Sequence, residues 1–275
     1  ADRVVGDWDE LRMTAMSGDD PLVPELAAAL NRRGVCVQVA ASGESPYISL
    51  PRTWDEYTRA LGSSRRYVVT RSLRELESWS GGQWELRRAR TAADLEEGVS
   101  VLRALHGERW SAEGKSGVFA SARFRRFHET VMPRLLAGED GATLDLSWLT
   151  VRGRAVAAAY SIVYAGRLHF YQSGRCVDVP KGVRPGIALH ALAIRSAIES
   201  GLSEYDFLAG ASRYKRELSL ATRPIVTLRA VGQGVRARGV EAVRIWTEGA
   251  IARARTVRAQ WRSGGERSPR ERASE

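Results

Sequence analysis

From Gln83 onward the apolar positions change their period in a regular order. WELRRAR (residues 84–90) alternates as a strand does, and AADLEEGVSVLRALHGERW then places Leu95, Val99, Leu102 and His106 on one helical face. A second helical stretch, SGVFASARFRRFHETVMPRLLAGEDG, offers Phe119, Phe124, Phe127 and Leu135 as candidate core and ends near Gly138. Three strands follow with no helix between them, at 143–151, 154–164 and 167–174, separated by tight turns at Arg152-Gly153 and Ala165-Gly166. A helix opened by KGVRPG and closed at Gly201 comes next, then SEYDFLAG as a strand, SRYKRELS as a short helix and PIVTLRAV as a strand. The order β, α, α, β, β, β, α, β, α, β predicts an α/β fold of the mixed-sheet kind. Its centre is an antiparallel meander, followed by a strand, helix, strand crossover that returns parallel. Before Gln83, DELRMTAM, PLVPELAAALNRRG and VCVQVAA read as strand, helix and strand.

With 275 residues and 44% apolar content, the chain can bury one or two proper cores. The most apolar uncharged run, Ala155 to Gly166, is too short to span a bilayer, and nothing at the start reads as a signal peptide, so a cytoplasmic location is expected. Because the chain begins at Ala1 in mid-pattern, it is also expected to be a fragment. Cys36 and Cys176 have neither CxxC nor His-rich surroundings, which argues against a disulfide framework or a zinc site and for strand packing. No metal is expected.

The net charge of +10 raises the question of nucleic acid. Half of that excess lies after residue 235, where ten Arg face five Glu. Residues 236–262 read as a basic helix and 263–275 as a disordered tail, an accessory to the folded part. Lys occurs only at 115, 181 and 215 in a chain with 39 Arg. A lysine retained in that background can be there for its compact, titratable ammonium, or by chance.

KGVRPG admits two readings. One is a capped surface helix. The other is an anion cradle, since the first N–H groups of a helix have no internal partner and its dipole favours negative charge. The crossover places this loop beyond the carboxyl ends of the strands, where ligands of such sheets sit. In the cradle reading Lys181 and Arg184 supply charge, Gly186 lets backbone come close to a phosphate, and the N–H groups of Ile187 and Ala188 complete the site.

Three patches, LHGERWSAEGKSGVF (105–119), RPGIALHALAIRSAIESG (184–201) and YDFLAGASRYKREL (205–218), occur in the order in which the GNAT acyltransferase superfamily carries its motifs, and the chain resembles that superfamily. More narrowly it resembles the CelD-type branch, associated with cellulose and exopolysaccharide biosynthesis and related to the Fem-type aminoacyl transferases. The resemblance implies a GNAT domain over 83–235 that binds acetyl-CoA or another acyl-CoA. It further implies a helical linker over 51–82 and, over residues 1–50, the C-terminal remnant of a preceding GNAT-like unit.

It also implies site residues, each with a plainer alternative. Tyr214 matches the superfamily's tyrosine after this strand and would be a general acid; it can equally be a half-buried tyrosine at a helix start. Lys215 resembles the lysine of the Fem-type motif, near phosphate or developing negative charge, against a solvated surface lysine. Asp206 can bind or deprotonate the acceptor amine, orient Lys215, or be a buried structural carboxylate. His106 is a candidate base or acceptor ligand, or a satisfied core histidine. Trp110, with the SAEGKSG loop, and Tyr171 are candidates to line the acceptor pocket, or packing residues. The activity implied is N-acyl transfer to an amine of a sugar or cell-envelope precursor. The alternatives are aminoacyl transfer from aminoacyl-tRNA, and a catalytically silent module that binds a polysaccharide synthase or RNA.

Overall fold

A computed structural model of the chain describes residues 8–210, 212–232 and 234. The proposed helix over 236–262 and the tail lie outside the described residues. The described residues divide into two compact bodies, one formed by residues 8–42 with those described after 225 and one by residues 43–225.

In the first body, strand β1 (Glu10–Ser17) leads through helix α1 (Leu22–Arg32) to the start of β2 (Cys36–Ser49), as the strand, helix, strand pattern predicts. The last part of β8 (Ala221–Val231) lies between β1 and β2. Val35, Leu228 and Ala230 are its buried centre, with Leu26, Leu30 and Val37 packed around them. Cys36 is exposed, which corrects its expected packing role: on β2 it falls on the opposite side from Val35 and Val37.

The larger body follows the order read from Gln83. It contains α2 (Trp54–Ala60), α3 (Ser63–Ser80), β3 (Trp84–Arg88), α4 (Ala92–Ala112), α5 (Ala122–Ala137), β4 (Ala142–Val151), β5 (Arg154–Tyr164), β6 (Arg167–Arg175), α6 (Pro185–Glu199), β7 (Glu204–Asp206) and α7 (Arg213–Leu218). Local chemistry sets the helix limits. Thr91 caps α4 in a reciprocal pair with Asp94, Ser121 caps α5, and Gly138 ends α5 in the left-handed region at φ 75°. The strands run β2-β7-β6-β5-β4-β3, antiparallel except for β6 and β7.

Helices α4 and α5 lie against one face of this sheet, and α6, flanked by α3, against the other. Gly174 brings α4 down onto β6, since a Cβ there would sit 2.5 Å from the carbonyl carbon of Leu105 and on the backbone N of His106. Trp148, Tyr160, Leu102, Tyr205 and Phe207 are fully enclosed. Phe127, expected in the core, is 59% exposed; the buried stripe of α5 is instead His128, Met132 and Leu135.

The feature that positions the site is a parting of strands. β7 pairs with β6 only over Arg167–His169, opposite Glu204–Asp206, and β6 then continues to Arg175 without that neighbour. On the β5 side, Cys176 N–H donates to the Val156 carbonyl at 2.9 Å, opposite the pair Ala158 and Gly174. Antiparallel alternation therefore directs the main-chain groups of Gly174 and Cys176 toward β5, and those of Ser173 and Arg175 toward the opening.

Candidate active site at the parting of β6 and β7

The opening is a cavity of about 430 Å³. β6 contributes Ser173, Gly174 and Arg175, the start of α6 contributes Arg184 to Ile187, and α7 contributes Arg213, Tyr214 and Glu217. Pro185 occupies the first turn of α6, where its missing N–H costs nothing and its fixed φ suits the helix. Of the two amides expected to form a cradle, that of Ala188 is taken: it donates to the Arg184 carbonyl at 3.1 Å, the first bond of the helix, and its side chain is fully buried. The free amides are those of Gly186 and Ile187, one position earlier. Gly186 has an ordinary φ, and a Cβ there would meet only Arg175 Cδ, at 3.6 Å. The protein's own packing therefore does not require glycine at this position. Lys181 is exposed and does not line the cavity.

Four arginines, 109, 175, 184 and 213, and one glutamate line the same space. Glu217 receives Arg213 Nε at 2.8 Å and lies 3.9 Å from Arg184 Nη1. Arg109 reaches in from α4, and its Nε is buried without a hydrogen-bond partner among the described residues.

Tyr214 stacks on His190, with ring centroids 5.3 Å apart and planes inclined by 23°. Burial pushes the Tyr214 hydroxyl up to about 12, against the lowering effect of the Arg109 charge and a hydrogen bond with Ser212. His190 projects from α6 and is joined at Nδ1 to the Tyr205 hydroxyl at 2.9 Å. Burial, then the charges of Lys215 and Arg109, press its imidazole down to about 3, so the ring is neutral at ordinary pH.

Asp206 and Lys215 sit beside the cavity rather than in its wall. Lys215 Nζ donates to the carbonyls of Phe207 (2.7 Å), Ala209 (2.9 Å) and Leu208 (3.4 Å), gathering the loop after β7 around one ammonium. Burial lowers it to about 8, and Asp206 acts in the opposite direction. The Asp206 carboxylate accepts from Ser45 Oγ and Leu208 N–H, both at 2.8 Å, and faces His169 Nδ1 at 3.6 Å. Burial raises it, but the hydrogen bonds of His169, Leu208 and Ser45 outweigh burial and leave it below its ordinary value.

His106, Trp110 and Tyr171 form a separate group on the α4 and α5 side. His106 Nδ1 lies 2.9 Å from the Ser173 carbonyl, an acceptor only, so Nδ1 carries the hydrogen and Nε2 is the bare nitrogen. That Nε2 is buried and without a partner among the described residues, as is Trp110 Nε1. Burial lowers the His106 pKa. Tyr171 is stacked with Phe124, meets Tyr160 edge-on and lies tilted against His128, outside the cavity wall.

Sequence reading did not single out Arg109, Arg175, His190, Arg213 and Glu217. For Arg109 a signal existed: it lies in LHGERW one turn beyond His106, so one helix face carries both. For Arg175 and Glu217 nothing in local spacing distinguishes them from surface charge.

A protein-family description, Acetyltransferase (GNAT) domain, matches residues 63–216. Among solved structures, the chain is similar to the C-terminal domain of a protein described as a lysylphosphatidylglycerol synthetase from Agrobacterium fabrum. The TM-score is 0.54 at 11% identity, over 85% of this chain and 71% of that one. It is similar also to L-PGS from Bacillus licheniformis, with a TM-score of 0.53 at 13% identity over 85% and 71%. FemX gives 0.54 at 10% identity over 78% and 71%. No curated protein sequence matches the chain at a significant level.

Proposed function

The chain belongs to the acetyltransferase (GNAT) family, and from that premise we propose that it is an N-acyltransferase. It moves an acyl group from acyl-CoA, acetyl-CoA by preference, to an amine of a sugar or other exopolysaccharide or cell-envelope precursor. The observation that carries this is the start of α6: two free amides, Arg184 beside them, and a glycine that the packing does not need, all facing one cavity. A Cβ at position 186 would stand where a phosphate must approach the Gly186 and Ile187 amides.

The donor supplies an activated acyl carbon. The chain's own groups do the rest. Amides of Ser173 and Arg175 along the unpaired edge of β6 are directed at charge developing on the acyl oxygen. As the acceptor nitrogen bonds the acyl carbon and the carbon–sulfur bond breaks, Tyr214, kept protonated by burial, delivers its proton to the departing sulfur; the nitrogen passes its own proton to solvent water, and solvent restores the Tyr214 hydroxyl. Asp206 and Lys215 hold the loop after β7 that leads to α7, the helix of Tyr214. The acceptor is taken to enter from the side of His106 and Trp110, whose ring centroids lie 5.8 Å apart and whose Nε2 and Nε1 have no hydrogen-bond partner among the described residues.

The fold neighbours called FemX and lysylphosphatidylglycerol synthetase favour a second reading, aminoacyl transfer from aminoacyl-tRNA. Calorimetry separates the two. Acetyl-CoA should bind the wild-type chain in the micromolar range, and Arg184→Ala should weaken it roughly tenfold to a hundredfold, the worth of one charged hydrogen bond. Gly186→Ala should weaken it with little loss of stability, because a Cβ there meets only Arg175 Cδ, and Gly186→Val should weaken it at least as much. Unchanged affinity in these folded variants, or binding of aminoacyl-tRNA in place of acetyl-CoA, rejects the acyl-CoA reading.

A further inference from the structure

A second cavity, of about 240 Å³, lies at the other end of α6. Its polar wall is Arg88 at the end of β3 with Arg90 just beyond it, Thr143 and Asp145 on β4, Ser196 in the last turn of α6 and Ser200 just after that helix. Along α6, six positions separate the nearest wall residues of the two cavities, His190 and Ser196, about 9 Å at the α-helical rise. Nothing in the proposed transfer reaction uses it.

Two charges here are enclosed yet poorly matched. Arg88 Nε lies 4.0 Å from Asp145 Oδ1, too far for a hydrogen bond, and the two side chains keep only 25% and 19% of their exposure. Arg88 Nε and Nη2 are both buried with no hydrogen-bond partner among the described residues. Buried guanidinium nitrogens without acceptors are costly, and Asp145 beside them, near Ser147 and Arg90, does not supply one to Arg88 Nε. Burial drives the Asp145 carboxyl toward its neutral form despite Arg88.

The signs narrow the ligand. A dianion such as phosphate would meet Arg88 favourably but would also meet Asp145 and the negative end of α6. A simple amine would satisfy Asp145 and meet Arg88. A molecule with a carboxylate and an ammonium on one carbon satisfies both. The rest of the wall is apolar, including Leu144, Val163, Leu168 and Leu202. A water's share of liquid volume is about 30 Å³, so the space has room for a molecule of leucine's size.

We propose that this cavity binds an α-amino acid with an apolar side chain, its carboxylate against Arg88 and its ammonium against Asp145. The site is independent of the acyl-donor cavity, and the proposal stands or falls without it.

Calorimetry of the full chain with L-leucine tests it, with leucinamide and 4-methylpentanoate as probes that lack the carboxylate and the ammonium respectively. L-leucine should bind one to one, each analogue at least about tenfold more weakly, and Arg88→Met and Asp145→Asn should each weaken L-leucine by a similar factor. Leu202→Trp, which fills the cavity, should abolish binding, whereas Arg184→Ala should leave it unchanged. The three-ligand comparison on the wild-type chain needs no variant to fold. Equal binding of all three ligands overturns the proposal, as does L-leucine binding that survives Leu202→Trp. So does the absence of any heat or melting shift with leucine, valine and methionine up to about 10 mM, a concentration at which even weak sites are occupied.

Discussion

Tyr214 can give up a proton only if it keeps one until it is needed, and burial, by pushing its hydroxyl up to about 12, secures that. Tyr214→Phe removes the proton and the hydrogen bond with Ser212 while the ring remains on His190. The expected result is a fall in kcat of about a hundredfold or more, the usual contribution of a general acid, with acetyl-CoA affinity within about twofold of wild type. Steady-state kinetics paired with calorimetry checks both halves. A variant that loses affinity instead would make Tyr214 a binding residue. Lys215 shows how residue identity can be legible while its use is not. The sequence singles it out by rarity, yet its three carbonyl contacts arise from a loop whose path depends on where β7 ends. Ala188 failed for a related reason: which amide of a helix is the last free one depends on the cap residue, and Arg184 takes that place one step earlier than the sequence suggested.

Elements were read more easily than residues. The alternation and helix periods from Gln83 onward report which face is buried, and burial is what selects the element, so their order in the structure is the order in the sequence. The one slip in periodicity is instructive. Phe124 and Phe127 both fit a helical stripe at spacing three, but the stripe that meets the sheet runs Phe124, His128, Met132, Leu135, and Phe127 falls outside it. The parting of β6 and β7 left no mark in either strand's sequence, since it is a property of the pair. Gly174 is where the meeting of two elements can be tested. Gly174→Ala puts a methyl group on the backbone of Leu105 and His106, and backbone cannot rotate aside as a side chain can. It should cost about 1–3 kcal/mol or more by overpacking, read as a lower urea midpoint. A fully stable Gly174→Ala protein would show that α4 can lift from β6.

At the scale of the whole molecule, enclosed bases make stability depend on pH at both ends; His106 and His128 are lowered by burial as His190 is, and so is half-buried Lys215. His190 is held near 3, below its ordinary 6.5. The unfolded chain therefore binds more protons than the folded one between these values, and stability rises with pH across that window and is lost on acidification. Lys215 is held near 8, below its ordinary 10.5, so the same sign applies from about 8 upward: stability rises as the unfolded lysine loses its proton last. Melting temperature against pH for wild type, His190→Gln and Lys215→Met checks this. The first variant should flatten the acid slope, and the second should remove the rise between 8 and 10. A wild-type rise that persists in Lys215→Met would assign it to another group. The wall of the larger cavity carries a different consequence. Every cation in it is an arginine, and the nearby lysine is wrapped in three carbonyls. A guanidinium stays protonated and has no lone pair to offer, whereas a free lysine amine attacks thioesters and activated esters. In the proposed reaction, the positive charge around a reactive acyl donor in this cavity would come from groups that cannot become nucleophiles, so none of these cations would compete with the acceptor amine for the acyl group.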